Sequence, residues 1–129
     1  MANKIKAMNQ QGVAWPCTFG ANTLLKGDIV RVTGNETVDE AAATHIPRGV
    51  VVTPVSDTAN KGTVMLKGSA VIEILFSGNI AANAEVKMAA LASGEQQVAA
   101  WVQGTDNENL KAGWVLKGAN NALGYVVLY

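Results

Sequence analysis

From Asp28 onward the sequence is a succession of short, β-branched or aromatic runs, each closed by Gly, Asn, Ser or Pro. The runs are DIVRV (28–32), RGVVVTPV (48–55), GTVMLKG (62–68), SAVIEILF (69–76), AEVKM (84–88), QVAAWV (97–102), GWVLKG (113–118) and LGYVVLY (123–129). Such residues suit a pleated, half-buried surface, and their regular interruption predicts an all-β sandwich or barrel. Gly34-Asn35, Ser77-Gly78-Asn79, Ser93-Gly94 and the stretch 118–121 supply the positive-φ positions that tight reversals need.

Two stretches compete with this reading. In ETVDEAAATH (36–45), Thr37 is a possible N-cap, Glu40 follows three residues later, and alanines come next before Pro47. A short helix and an extended segment are equally expected there. IAANAEVKMAALASG (80–94) also contains good helix formers. Its first part, however, shares a pattern with LLKGDIVRV (24–32) and NLKAGWVLK (109–117): an apolar anchor, a small-residue turn, then an alternating strand. All three read as turn-to-strand corners of a barrel.

The chain has 129 residues, enough for one domain with a single core. Ten basic and ten acidic residues cancel, so the sequence carries no electrostatic footprint for nucleic acid or an anionic membrane. Only 16% of residues are charged, which favours burying surface against other chains. The single cysteine, Cys17, reads as a buried hydrophobe. MANKIKAMNQ contains no apolar stretch of signal-peptide length, and no run approaches the ~18 apolar residues of a membrane helix. Synthesis in a cytoplasm is expected.

Reactive constellations are sparse. His45 is the only histidine, and beside Ile46-Pro47 it reads as a loop-packing residue rather than a general base. Ser56-Asp57-Thr58 reads as a polar strand connection. TDNEN (105–109) lacks the glycine and terminal glutamate of an EF-hand loop. No glycine-rich phosphate cradle occurs, and the lysines and arginines are scattered over different runs without interleaved aromatics. The expectation is a protein that is not an enzyme and uses no cofactor or metal, with no nucleic-acid or membrane partner.

Residues 1–22 differ in character from the rest. They read either as an arm outside the core or as an edge strand, with Lys4 and Lys6 outward against Ile5 and Ala7. Within AVIEILF (70–76), alternation places Val71, Glu73 and Leu75 on one face and Ile72, Ile74 and Phe76 on the other. Both faces are apolar except for Glu73, so both need cover. Either a neighbouring subunit or the 88–100 connection supplies the second cover; the first makes Val71, Glu73 and Leu75 a candidate oligomer interface, with Glu73 at its rim paired to a cation or to backbone N–H groups.

The segments KGDIVRVTGNETV, IPRGVVVTPV, GTVMLKGSAVIEILFSGNIAANAEVKM and AGWVLKGANNALGYVVLY, in that order, resemble the capsid decoration (cement) proteins of tailed bacteriophages. The likeness rests on Gly27-Asp28, Thr33-Gly34-Asn35, Pro47 with Gly49-Val50-Val51, Gly68 with Val71, and Gly78-Asn79-Ile80, and it covers most of residues 23–129. Asn83 stands where a glycine-like turn residue is expected. The resemblance implies a small β-barrel or β-tulip-like domain over 23–129 with an extended N-terminal arm over 1–22. It implies a virion protein on the outer capsid surface that bridges major capsid protein subunits and assembles with itself as a homo-oligomer, a trimer. The arm would bind the capsid by adding a strand, with Lys4, Ile5, Lys6, Met8 and Trp15 as its contacts. An alternative is a virion-associated β module that stacks a host-surface glycan on Trp15, Trp101 or Trp114.

Overall fold

In the computed structural model, residues 3–8, 13–20, 24–53, 61–66, 68 and 70–129 are described. The strands in chain order are β1 (Lys4–Met8), β2 (Ala14–Phe19), β3 (Ile29–Gly34), β4 (Thr37–Glu40), β5 (Gly49–Thr53), β6 (Lys61–Leu66), β7 (Ala70–Phe76), β8 (Asn79–Ile80), β9 (Glu85–Met88), β10 (Gln97–Ala100), β11 (Lys111–Lys117), β12 (Ala119–Asn120) and β13 (Leu123–Leu128). One turn of 3₁₀ helix, Glu108–Leu110, precedes β11. The all-β expectation holds. The expected turn at Ser56-Asp57-Thr58 lies outside the described residues.

Two closed sheets share the chain. The smaller is a five-stranded barrel in the order β2-β4-β3-β5-β6, with β2 and β6 pairing to close it. The larger runs β7-β10-β9-β11-β13 and returns through a β13–β7 ladder from Leu123↔Leu75 to Leu128↔Ala70. Closure pairs both edges of the barrel strands, leaving β1, added to β7, as an edge strand of the larger sheet.

The short-helix alternative for 36–45 gives way to β4. Glu36 adopts φ +48, turning the chain at Asn35-Glu36, and Thr37 Oγ1 donates to the Asn35 carbonyl at 2.9 Å. β4 then satisfies its backbone by pairing with β3 on one side and β2 on the other. Val38 is buried by this arrangement, whereas a lone helical turn before Pro47 would gain little packing. Asn83 sits at φ +75 and does the work of the missing glycine.

The expectation of one core is also corrected. Cys17, Phe19, Leu24, Val30, Val38, Val51 and Val64 fill the small barrel. Ile72, Ile74, Phe76, Val86, Val98, Val115 and Val126 fill the large one, joined by Ile29, Val50 and Met65 from the outside of the small barrel. Thus β3, β5 and β6 are covered on both faces where the barrels meet. This explains why Ile29-Val30, Val50-Val51 and Val64-Met65 are consecutive apolar pairs rather than alternations.

The junction is sealed by a buried amide network. Gln96 Nε2 donates to the carbonyls of Ile29 (2.6 Å) and Ala41 (2.8 Å). Its Oε1 accepts from the Ile29 N–H at 2.8 Å and from Asn3 Nδ2 at 2.9 Å. Asn3 Nδ2 also donates to the Gly27 carbonyl at 3.1 Å. Gly27, at φ +94, lies so close that a β-carbon there would stand 2.8 Å from the Asn3 carbonyl oxygen.

Of the two readings of residues 1–22, the described residues 4–8 take the edge-strand one, and 14–19 form a further strand. β1 pairs antiparallel with β7 from Lys4↔Glu73 to Met8↔Ala70, and β2 is a wall of the small barrel. The reason is geometric. β10 reaches only Leu75 and Phe76 on that side of β7, so the remaining backbone donors and acceptors need another partner. A bulge between Ile5 and Ala7 shifts the phase of β1. Ile5 and Met8 therefore pack on the core while Ala7 is exposed, unlike the simple alternation expected from the sequence.

Candidate interaction surface

The outer face of β7 and β13 is a half-buried apolar band with one acid at its centre. Cross-strand pairs Leu75↔Leu123, Glu73↔Tyr125 and Val71↔Val127 place six side chains on this face. Glu73 is largely covered, its side chain 16% exposed, and Lys6 Nζ approaches its carboxylate to 3.7 Å. Lys6 and Lys117 both lie over the Tyr125 ring, 5.6 Å and 5.1 Å from its centroid. The cation expected beside Glu73 is therefore supplied by the chain's own first strand. At this exposure the pair contributes at most about 1 kcal/mol. It orients Glu73 more than it stabilises the fold.

The residues assigned to a capsid-binding arm do not form one surface strip. Lys4 is exposed on β1, Ile5 and Met8 face the large core, and Lys6 joins Glu73. Trp15 belongs to the other barrel, 47% exposed, with Nε1 donating to Glu36 Oε2 at 2.7 Å. Sequence proximity grouped them, and the intervening crossover from one barrel to the other separates them.

A second polar cluster, at the start of β11, was missed from sequence. Lys111 Nζ lies 3.1 Å from Glu85 and 2.8 Å from Glu108, over the Trp101 ring at 4.1 Å, while Tyr129 OH donates to Glu85 Oε2 at 2.7 Å. Hydrogen bonds from Tyr129 and Lys111 hold the Glu85 carboxyl below its usual range. The Glu108 bond raises Lys111, and the Glu85 bond raises the Tyr129 phenol. In TDNEN, Asp106 pairs with Lys87 at 2.7 Å and accepts from the Val102 N–H at 2.8 Å, and Asn107 caps the 3₁₀ turn. The Lys87 bond lowers the Asp106 pKa. The only sequence signal was acids three residues before Lys111 and around it, which is a pattern common to solvated loops. Among the described residues no group of three or more His, Cys, Asp or Glu is placed to hold a metal ion.

His45 lies in an open groove of about 360 Å³ lined by Arg31, Val32, Thr44, Ile46 and Arg48. Its Nδ1 accepts from the Ala42 N–H at 2.9 Å, consistent with the loop-packing role expected of it. Burial, then the neighbouring Arg31, push its pKa down, against a smaller opposing pull from Asp39. Cys17 is buried as expected, and burial followed by the Glu36 charge raises its thiol pKa.

No family model and no curated protein matches this chain. Among solved structures, the chain is similar to the crystal structure of the head fiber gp8.5 N base in bacteriophage phi29. The TM-score is 0.57 at 18% identity, covering 91% of this chain and 93% of that one. The likeness is one of fold. Its coverage is too large to leave out either barrel, so the double-barrel arrangement belongs to the shared architecture.

Proposed function

We propose that this chain is a structural protein of a tailed-phage head, bound to the outside of the capsid and strengthening the shell by bridging major capsid subunits. The observation that carries this reading is the fold correspondence with the base of a phage head fiber, which spans both barrels. It agrees with the independent resemblance of the sequence to capsid decoration proteins. The half-buried Val71–Glu73–Leu75 face supports self-association, because an apolar band of this kind gains by being covered by another copy, and the resemblance to decoration proteins suggests three copies. Symmetric copies would then bind through avidity, each contributing modest affinity.

Co-sedimentation of the purified protein with undecorated capsid shells tests the proposal. Saturable binding with a fixed copy number, and shells that withstand higher temperature when decorated, are expected. Absence of saturable binding to the undecorated shells would refute it. Light scattering of the free protein checks the oligomer, for which a mass of three 13.4 kDa chains is expected.

A further inference from the structure

We propose that the groove between β3 and the 44–48 segment is a carboxylate-binding site, in which Arg31, Arg48 and His45 take acidic side chains of a partner polypeptide. Three observations converge there. First, two guanidinium groups and an imidazole line one groove of about 360 Å³, a volume in the range of small-ligand clefts. Among the described residues neither arginine has an ion-pair partner; the one side-chain bond of Arg31 runs from Nε to the Glu40 carbonyl, at 3.3 Å. Asp39 faces Arg31 across the β3–β4 ladder but is engaged elsewhere. Its Oδ1 accepts from the Glu40 N–H at 2.8 Å, and its Oδ2 lies against Gly20.

Second, the turn that presents His45 is both fixed and strained. The His45 N–H donates to the Ala42 carbonyl at 3.1 Å while Nδ1 accepts from the Ala42 N–H. That leaves Nε2 as the proton-bearing nitrogen of the neutral ring. Thr44, on the groove wall, is β-branched yet held at φ +69. Strain of this kind persists where the surroundings enforce a particular presentation.

Third, the remaining walls are apolar. Val32 is 56% exposed, and Ile46 lies beside it. Such walls suit the methylenes of Glu or Asp side chains, with the guanidinium forks taking the carboxylates bidentately. Nucleic acid fits less well, because the other basic residues are dispersed and the net charge is zero.

The groups facing His45 set the pH response. Arg31 opposes protonation of the ring and Asp39 on β4 favours it, while Arg48 shares the groove and Glu40 follows Asp39 on β4. A bound carboxylate neutralises the arginines and so favours the imidazolium, whose Nδ1 proton displaces the Ala42 N–H bond. Binding should therefore tighten as pH falls from about 8 to about 5.5, where peptide carboxylates are still ionised.

The test is NMR titration of the full chain with a blocked tetraglutamate peptide, with tetraglutamine and inorganic phosphate as separate arms. Expected are saturable shifts at the Arg31 and Arg48 Nε–H signals and the 44–48 amides with tetraglutamate alone. Arg31→Gln/Arg48→Gln should weaken binding about tenfold or more. Arg48→Gln alone, at an exposed position, gives a measurable loss even if the double variant folds poorly. His45→Gln should weaken binding more at pH 5.5 than at pH 8, and so flatten the pH dependence. Unsaturable shifts, affinity unchanged by Arg48→Gln, or phosphate binding more tightly than tetraglutamate would each overturn the assignment.

Discussion

Asp28 shows how a single buried acid is written into the small barrel. It is 7% exposed, and its Oδ2 accepts from the Leu25 N–H at 2.8 Å, closing the turn that leads into β3. Burial raises its pKa, and the Leu25 bond offsets this only in part. Glu40 is raised as well, first by burial and then by the charges of Asp28 and Asp39. A carboxyl whose folded pKa lies above its unfolded value favours the folded state while protonated. Its contribution is therefore present below the unfolded pKa of about 4 and is lost as pH rises through the folded value. Asp28→Asn keeps an acceptor for Leu25 and removes the charge. We expect the variant to be at least as stable as the parent at neutral pH, with less dependence of stability on pH above about 4. The Glu40 pKa should move down towards its ordinary range without reaching it, since burial remains. Carboxyl-carbon NMR titration checks both. A Glu40 titration unchanged by Asp28→Asn would show that the two carboxylates do not sense each other. None of this was visible in the sequence, where Asp28 was a polar residue at the start of a strand.

Among the elements, β1 differs most from its sequence reading. Lys-Ile-Lys-Ala-Met has edge-strand alternation, so the strand itself was legible, but its partner was not, because pairing with a neighbouring copy and pairing with β7 leave the same local pattern. The eight longer runs were read as strands for a related reason: their β-branched content and flanking turns are local properties. β4 and β2 were not predicted as strands. β4 forms a short hairpin with β3 in a stretch where helix and extended chain were equally expected, whereas the β6 partner of β2 lies far along the chain and Trp15-Pro16 gave no strand pattern. The two-barrel split was hidden for the same reason that Ile29-Val30 looked like an ordinary buried run. Removal of residues 1–8 tests the integral role of β1. It strips Asn3 from the junction, Ile5 and Met8 from the core surface, and the partner from one edge of β7. We expect the melting temperature to fall by about 5–15 °C, from roughly 2–4 kcal/mol of lost burial and hydrogen bonding. The amides of β7 opposite β1 should lose hydrogen-exchange protection while those paired with β13 retain theirs. A truncated chain as stable as the parent would return β1 to the status of a detachable arm.

For the molecule as a whole, the question is whether two small barrels behave as one cooperative unit. Neither interior is large: among the described residues seven buried ones fill the small barrel, and that barrel lends Ile29, Val50 and Met65 to the core of the other. Below a certain size a closed core does not offset its own chain entropy, so each barrel depends on the shared surface. Gln96 is the polar centre of that surface, satisfying the N–H and carbonyl of Ile29 and the carbonyl of Ala41, with Asn3 bonded to its Oε1. Gln96→Leu keeps most of the volume but strips the Ile29 N–H and the Ala41 carbonyl of their Gln96 bonds, while the Ile29 carbonyl keeps the Ala41 N–H and Asn3 keeps the Gly27 carbonyl, at a cost of about 2 kcal/mol or more. The chain carries its own reporters. Trp15 stands in the small barrel, while Trp114 stands in the large one on β11 and Trp101 follows β10. Fluorine NMR of fluorotryptophan-labelled protein during urea unfolding should give one midpoint for all three signals in the parent. In Gln96→Leu the midpoint should drop, and the Trp15 signal should unfold before those of Trp101 and Trp114, because the smaller barrel has the smaller interior and loses more of its support. Coincident midpoints at the parental urea concentration would mean that apolar contact alone couples the barrels. Three separate midpoints in the parent would mean that they are not coupled at all.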